Sequence, residues 1–527
     1  MGIMQALIGA AKAAGFKLKN SVRLRGAANP TMTIASLGGS ATTQKAAFST
    51  WLKTGTTLET QIFSGYDGAN YVVVYWNGMS NGLLRVSNQA NTLDVRTTPL
   101  LRDPTAWYHL VVILDGTAAA GSRCKIYING VQQPTSLNTD SATAYTWGGA
   151  YLHRMSGNVA GAAPFFDGYF ADTKLTIGQN NVIGDFGEFN ASGVWVPKAY
   201  TGTYGNNGFH LKYEDASTPT SLGLDSSGNG KNWTPTNINQ SPTTGVTYDS
   251  MVDTPTNNYA TLNPLDLGQN MTPSSGNLNV SQSIAGGGRG IKATQYFPRT
   301  GKWYCESKVG GLPPSAYIGL YRSTFSVQTN TGTGYLLYTA NTGVMVSDIG
   351  ATGSFSAAAS VGDMLGLAFD MDAGTFQMFK NGVSLGTAAA VLNNADWALT
   401  SVLNATSAIW EFNFGQRPFT YTPPTGFKAL CTENLQPPVA PTASGTFTGT
   451  ANADGPFVWI GGVPTTLTIN GNAVTFGTHA DKIAGGFKVR SAAAGYNVAG
   501  ANTWVATFGS PSTRNAFAQP QPAQANP

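Results

Sequence analysis

Two Asn-Gly dipeptides occupy equivalent points in two similar stretches of this chain. Residues 110–116 form an apolar run that ends in the corner Asp115-Gly116. After a short insertion, residues 125–131 carry a second run into Asn129-Gly130. Residues 365–370 lead in the same way through Asp370 into residues 376–383, which contain Asn381-Gly382. Asn-Gly selects the type I′ hairpin, because both central residues need positive φ and these two residue types adopt it at least cost. The repeat predicts two sandwich-like β modules built around matching hairpins. Period-two alternation places Cys124 and Ile126 on one face, and Phe376 and Met378 on the equivalent face, which is taken as the core side. Tyr127 and Phe379 then fall on the opposite face. Packing beneath a loop is their expected use, and contact with a ligand or neighbouring subunit is the alternative.

Composition narrows the class. Hydrophobic residues make up 42%, enough for real cores, while charged residues are only 11%, against about 25% in an average soluble protein. With 64 glycines, this is the composition of short strands joined by many turns, and it suits a surface of hydroxyls and amides. The net charge of +4 comes without a basic block, so nucleic-acid binding lacks electrostatic support. Cys124, Cys305 and Cys431 are far apart and odd in number, which argues against a disulfide framework and against zinc. Ile3, Met4, Leu7, Ile8 and Ala11 recur at helical spacing, so the first residues read as a short amphipathic helix. That helix either packs on its own domain or anchors the chain in a larger assembly. It lacks a signal peptide's basic start and a myristoylation serine or threonine at position 6, and it is too short to span a membrane.

The expected fold is all-β: two concanavalin-like or jelly-roll sandwiches in tandem, a small C-terminal β domain and the N-terminal helix. The domains are read as an anchor at 1–20, a sandwich at 21–215, a turn-rich connector at 216–260 and a second sandwich at 261–436. A Pro-rich linker at 437–441, a small β domain at 442–513 and a flexible tail at 514–527 complete the chain. Trp233 in the connector points to packing.

Motifs that promise chemistry are weak. The string Gly382-Val383-Ser384-Leu385-Gly386 fits G-x-S-x-G, but Ser384 is expected on the return strand of a hairpin and not on a strand-to-helix elbow. Asp225, Ser227 and Asn229 imitate half of a calcium loop, yet Thr236 stands where a bidentate Glu is needed, so a tight polar turn is expected. The glycine run 286–288 lacks the ending of a phosphate loop. His109, His153, His210 and His479 show no metal spacing. No catalytic, cofactor-binding or metal-binding residue is assigned. Aromatic rings suit stacking on sugars, and Tyr75, Trp76, Tyr145, Trp147, Tyr335 and Tyr338 are the candidate ligand-binding residues.

A family resemblance sharpens this reading. The motifs Gly301-Lys302-Trp303-Tyr304, Gly362-Asp363, Phe379-Lys380-Asn381-Gly382-Val383-Ser384-Leu385-Gly386 and Phe414-Gly415-Gln416-Arg417-Pro418-Phe419, with residues 423–430, resemble a SPRY-type domain of the concanavalin-like class, in the form common in tailed phages. Asp185-Phe186-Gly187-Glu188-Phe189, Trp195-Val196-Pro197-Lys198 and Tyr200-Thr201-Gly202 resemble the laminin-G-like jelly roll that often precedes it. The resemblance implies a virion structural protein such as a tail fibre, head fibre or spike, located on the virion surface. Its implied partners are other virion proteins and a host cell-surface glycan or envelope protein, with a homo-oligomer, most often a trimer, as the assembly. A purely structural capsid decoration or connector protein is the alternative. A glycan depolymerase is a further one, with Asp115, Asp370, Asp372 and Glu411 as the available carboxylates.

Overall fold

Both Asn-Gly turns singled out above have positive φ at both positions, 47° and 79° at Asn129-Gly130 and 50° and 81° at Asn381-Gly382, and a third hairpin turn in the small C-terminal β domain has 51° and 80° at Asn470-Gly471. These values come from a computed structural model. It describes residues 15–435, except 41, 56–58, 78–81, 99–100, 102, 191–192, 219, 285–288, 313–315, 329–330, 405 and 407–408. Beyond residue 435 it describes 442–449, 457–459, 466–476, 478–483, 486–489 and 500–507. The expected N-terminal helix, the glycine run 286–288, the Pro-rich linker and the tail lie outside the described residues. Among the described residues the fold is all-β, and helical structure is limited to three-residue 3-10 turns such as Gly26–Ala28 and Ser221–Gly223.

The first sandwich is built from two antiparallel sheets. One sheet has Lys45–Thr54 at its centre, flanked by Tyr108–Asp115 and Gly168–Ile177, and Cys124–Ile128 continues it beyond Tyr108–Asp115. The other runs from Thr135–Asp140 through Leu93–Thr97, Leu84–Asn88, Tyr71–Asn77, Glu59–Tyr66 and Leu152–Met155 to Thr31–Ile34. Between them lies one large core that includes Phe48, Phe63, Trp76, Val112, Ile126, Trp147 and Phe170. The alternation read from the first hairpin is present, with Cys124, Ile126 and Ile128 buried and Lys125 and Tyr127 half-buried.

The second sandwich repeats the plan. Its larger sheet places Lys302–Gly311 between Met364–Asp370 and Ile409–Asn413, with Thr375–Lys380 and Val383–Ala389 following on from Met364–Asp370. The facing sheet is Leu262–Leu267, Arg289–Phe297, Trp397–Leu403, Tyr317–Arg322, Tyr335–Thr339 and Val344–Ser347. Phe376 and Met378 are fully buried, while Phe379 is half-buried on the outer face.

Residues 216–260 are woven into the first sandwich. Thr234–Thr236 adds to one sheet beside Thr31–Ile34, and Ser250–Met251 adds to the other beside Ser21–Leu24. Trp233 is 2% exposed and packs edge-on against Phe209 at 4.8 Å. Buried charges hold the rest. Asp249 accepts Arg23 Nε at 3.0 Å and Arg25 Nε at 2.9 Å, and Asp253 accepts Lys53 Nζ at 2.9 Å. Asp167 of the first sandwich takes the backbone N–H groups of Ser275 and Gly276 in the second. Residues Gly15–Glu188 and Trp195–Leu435 accordingly form one compact unit.

The C-terminal segment belongs to another unit. Its described strands make two small antiparallel sheets, one with Thr442–Gly449, Gly500–Thr507 and Thr466–Ile469, the other with Phe457–Trp459, Gly486–Val489 and Ala480–Ile483. Leu467, Ile469, Phe487, Val489 and Trp504 form their core.

Two predictions follow from the buried charges and histidines. Removing one partner of a buried pair strands the other, at a cost of about 3–5 kcal/mol. Asp249→Ala is therefore expected to lower the denaturant midpoint of the two-sandwich unit far more than Arg25→Ala, whose side chain is 13% exposed. The histidines set the acid limit. Burial pulls His109 down to about 3 and His153 down to about 4. His153 Nε2 accepts the Gly148 N–H at 3.0 Å, so its Nδ1–H donates to the Tyr151 carbonyl, and a second proton has no place. A depressed folded value means stability that is present above the unfolded value of about 6.5 and is lost as pH falls through the folded values. Urea midpoints measured from pH 7 to pH 4 should fall, and His153→Gln should flatten part of that fall.

Candidate functional site

The outer faces of the two matching hairpins differ. In the first sandwich a later segment covers the hairpin. Tyr127 packs with Phe186, Ile183 and Tyr200, and a Cβ on Gly130 would lie 2.2 Å from the Trp195 ring. Trp195 Nε1 donates to His109 Nδ1 at 2.8 Å, which leaves the His109 Nε2–H to donate to Ser49 Oγ at 2.9 Å. A histidine that gives its proton to the serine cannot serve as that serine's base. Tyr127 thus packs beneath a loop, the expected use.

In the second sandwich the equivalent face is open. Tyr304, Gln377, Phe379, Gly382, Tyr421, Thr422 and Pro424 line a cleft of about 280 Å³. Register explains its floor. Glu306, Gly366, Phe379 and Ser384 lie in one row across four strands, and Tyr304, Ala368, Gln377 and Thr387 lie in the next. Gly366 is the gap in the first row, and a Cβ there would be 2.5 Å from the Tyr304 hydroxyl and 3.2 Å from Phe379 Cβ. Tyr421 closes over the hairpin turn, where a Cβ on Gly382 would meet its ring at 2.6 Å.

Glu306 holds the outer wall in place. Its carboxylate accepts the Thr420 and Tyr421 N–H groups, each at 2.8 Å, and approaches the Tyr304 hydroxyl at 3.4 Å. Burial pushes the Glu306 carboxyl up from the usual range, against the pull of those N–H groups. Burial likewise pushes the Tyr304 hydroxyl up, so it stays a protonated donor. Phe419 meets Tyr304 edge-on at 4.9 Å. Gln377 Nε2 donates to Ser384 Oγ at 3.2 Å. The cleft therefore offers aromatic walls, an amide and hydroxyls, and the Glu306 carboxylate beside it is already engaged by backbone. Such a surface suits stacking and hydrogen bonding to an uncharged polar ring.

The six aromatics read from the sequence lie elsewhere. Trp76, Tyr145, Trp147 and Tyr338 are at most 1% exposed, which corrects their assignment as ligand-stacking residues. Burying a Trp removes roughly 200 Å² from water, worth about 5 kcal/mol at 25 cal/mol/Å², and the core takes that gain permanently. Three of the four polar tips are satisfied internally: Trp147 Nε1 by the Val72 carbonyl at 3.0 Å, Tyr145 by Ala142 at 3.1 Å and Tyr338 by Ala357 at 2.8 Å. Tyr75 is half-buried and accepts Gln61 Nε2 at 2.7 Å. Tyr335 is half-buried beside Tyr321 and Phe325. None of the six lines the cleft. Phe379, already marked by alternation as outward, was the legible signal, and Gln377 shares its face.

The chemical lookalikes resolve into structural roles. Ser384 lies on the Val383–Ala389 return strand, as expected. Asp225 Oδ1 accepts the His210 and Ser227 N–H groups, each at 2.8 Å, and its Oδ2 accepts Ser227 Oγ at 2.7 Å and the Lys231 N–H at 2.9 Å. That is a tight polar turn. Asp370 pairs with Lys302 at 3.1 Å and Asp115 with Lys45 at 3.3 Å, each also capping its own turn.

Residues 26–176 match the laminin-G-type family described as the concanavalin A-like lectin/glucanases superfamily. No curated protein matches the chain. Among solved structures, it is similar to the SPRY domain of human HERC1 at 16% identity and a TM-score of 0.26, over 29% of this chain and 96% of that one. It is similar to a native heptameric SAP-like pentraxin from Limulus polyphemus at 14% identity and a TM-score of 0.24, over 31% of this chain and 77% of that one. A human SPRY domain is similar at 13% identity and a TM-score of 0.22, over 28% of this chain and 95% of that one.

Glu306→Ala should free the Thr420 and Tyr421 N–H groups, each left unpaired at a cost of about 1–3 kcal/mol. Hydrogen exchange at those two amides is expected to rise sharply, with little change at Phe376 and Met378 in the core.

Proposed function

We propose that this chain is a non-enzymatic display protein of a phage virion surface. In this reading its β-sandwiches present the second-sandwich cleft to a host glycan. The observation that carries the reading is the aromatic, uncharged cleft between Phe379 and Tyr421, open where the equivalent face of the first sandwich is covered. A family described by lectins and glucanases over residues 26–176 supports a carbohydrate ligand. A surface low in charge suits a protein exposed outside cells. A homo-oligomer, with a trimer favoured, would multiply a weak single-site affinity.

Screening the full chain against host surface polysaccharides tests the proposal. Wild type should be retained, and Phe379→Ala and Tyr421→Ala should each weaken retention at least about tenfold, the equivalent of ~1.4 kcal/mol. Equal retention of wild type and both variants would remove the cleft from the reading. Absence of any retention would remove the glycan. Reducing-sugar release from the same polysaccharides would overturn the non-enzymatic part, and absence of antibody label on particles would overturn the virion part.

A further inference from the structure

We propose that Lys53 and Asn258 become joined by an intramolecular amide bond, with Asp253 as the proton carrier. Lys53 lies on the Lys45–Thr54 strand and points away from the first core, yet it is only 1% exposed. Its Nζ is 2.7 Å from Asn258 Oδ1, 2.9 Å from Asp253 Oδ2 and 3.0 Å from the Tyr259 carbonyl. An amine, a carboxamide and a carboxylate thus meet in a pocket walled by aromatics. The Tyr169 ring centre is 5.8 Å from Nζ, and Trp107 Nε1 donates to Asp253 Oδ1 at 3.0 Å.

Each reactant is held in place. Asn258 donates its backbone N–H to Thr432 Oγ1 at 3.0 Å and its Nδ2 to the Thr105 carbonyl at 2.8 Å, and its carbonyl accepts Gln295 Nε2 at 3.0 Å. Asp253 also accepts the Tyr259 N–H at 3.2 Å. Groups fixed this closely react as though at very high concentration, and a lysine amine is a competent nucleophile once a neighbouring base takes its proton.

The step balances without an outside reagent. Asp253 takes a proton from the Lys53 ammonium, and the neutral amine attacks Asn258 Cγ. Asp253 then passes a proton to Nδ2 while accepting the second amine proton. The Cγ–Nδ2 bond breaks and ammonia leaves. The products are one Lys53–Asn258 amide, one neutral Asp253 carboxyl and one ammonia, with nothing oxidised or reduced. Two buried charges disappear, which removes their desolvation cost. The bond would tie a central strand of the first sandwich to the segment that enters the second, in a chain whose Cys124, Cys305 and Cys431 are buried and unpaired.

Peptide mapping of the purified full-length chain by mass spectrometry is the test. The expected result is a branched tryptic peptide joining Lys53 to Asn258, lighter than its two parts by the ~17 Da of one ammonia, with no cleavage after Lys53. Lys53→Arg and Asp253→Asn, each checked for native near-ultraviolet circular dichroism, should give linear peptides only. Linear peptides throughout in the wild type would overturn the proposal. A loss of one water mapped to Lys53 and Asp253 would overturn the assignment to Asn258.

Discussion

The carboxylate of Asp253 joins three parts of the chain that are distant in sequence. It accepts Lys53 from a central strand of the first sandwich, Trp107 from the loop before the Tyr108–Asp115 strand, and the N–H of Tyr259 at the entry to the second sandwich. Its own carbonyl takes the Ser21 hydroxyl at 2.6 Å. A buried charge is costly unless it is paired and hydrogen-bonded, and these three donors supply that for Asp253. Asp249 works in the same way four residues earlier, on Arg23 and Arg25. A stretch that reads as a connector thereby behaves as part of the first sandwich and positions the second.

With the two sandwiches held in one unit, their hairpins can be compared directly. The same turn and the same alternation lead to opposite outcomes. Trp195 over Gly130 and Tyr421 over Gly382 are equivalent closures by a later aromatic. In the first case the rest of that segment follows the sheet and fills the face with Phe186 and Tyr200. In the second, Glu306 stops the returning chain at Thr420 and Tyr421, and space remains between Tyr421 and Phe379. A glycine in the row, Gly366, leaves room for the Tyr304 hydroxyl, which lies 2.5 Å from where its Cβ would be. The outer wall of this cleft rests on one well-placed carboxylate.

Much of the fold was legible because its signals are local. Asn-Gly favours positive φ at the tip of a two-residue hairpin, and the hairpins at Asn129-Gly130, Asn381-Gly382 and Asn470-Gly471 have it. Alternation in Cys124–Ile128 and Thr375–Lys380 reported correctly which side faces the core. The aromatic ligand candidates were read less well. Trp76 looks the same in sequence whether it fills a core or faces solvent, since an apolar run that is buried on both faces carries no alternation to separate the two, and Trp147 lies in a turn, where there is no period to read.

Sequence alone determined the all-β class, the paired hairpins and the outward position of Phe379, because turn chemistry and period-two patterning depend on neighbours a few residues apart. Only the tertiary structure decided that Tyr127 is covered and Phe379 is open, that Asp253 meets Lys53 and Asn258, and that Tyr304 and Tyr421 wall one cleft. Those outcomes depend on which segments return to which face, and contacts between residues far apart in the chain leave no periodic trace in it.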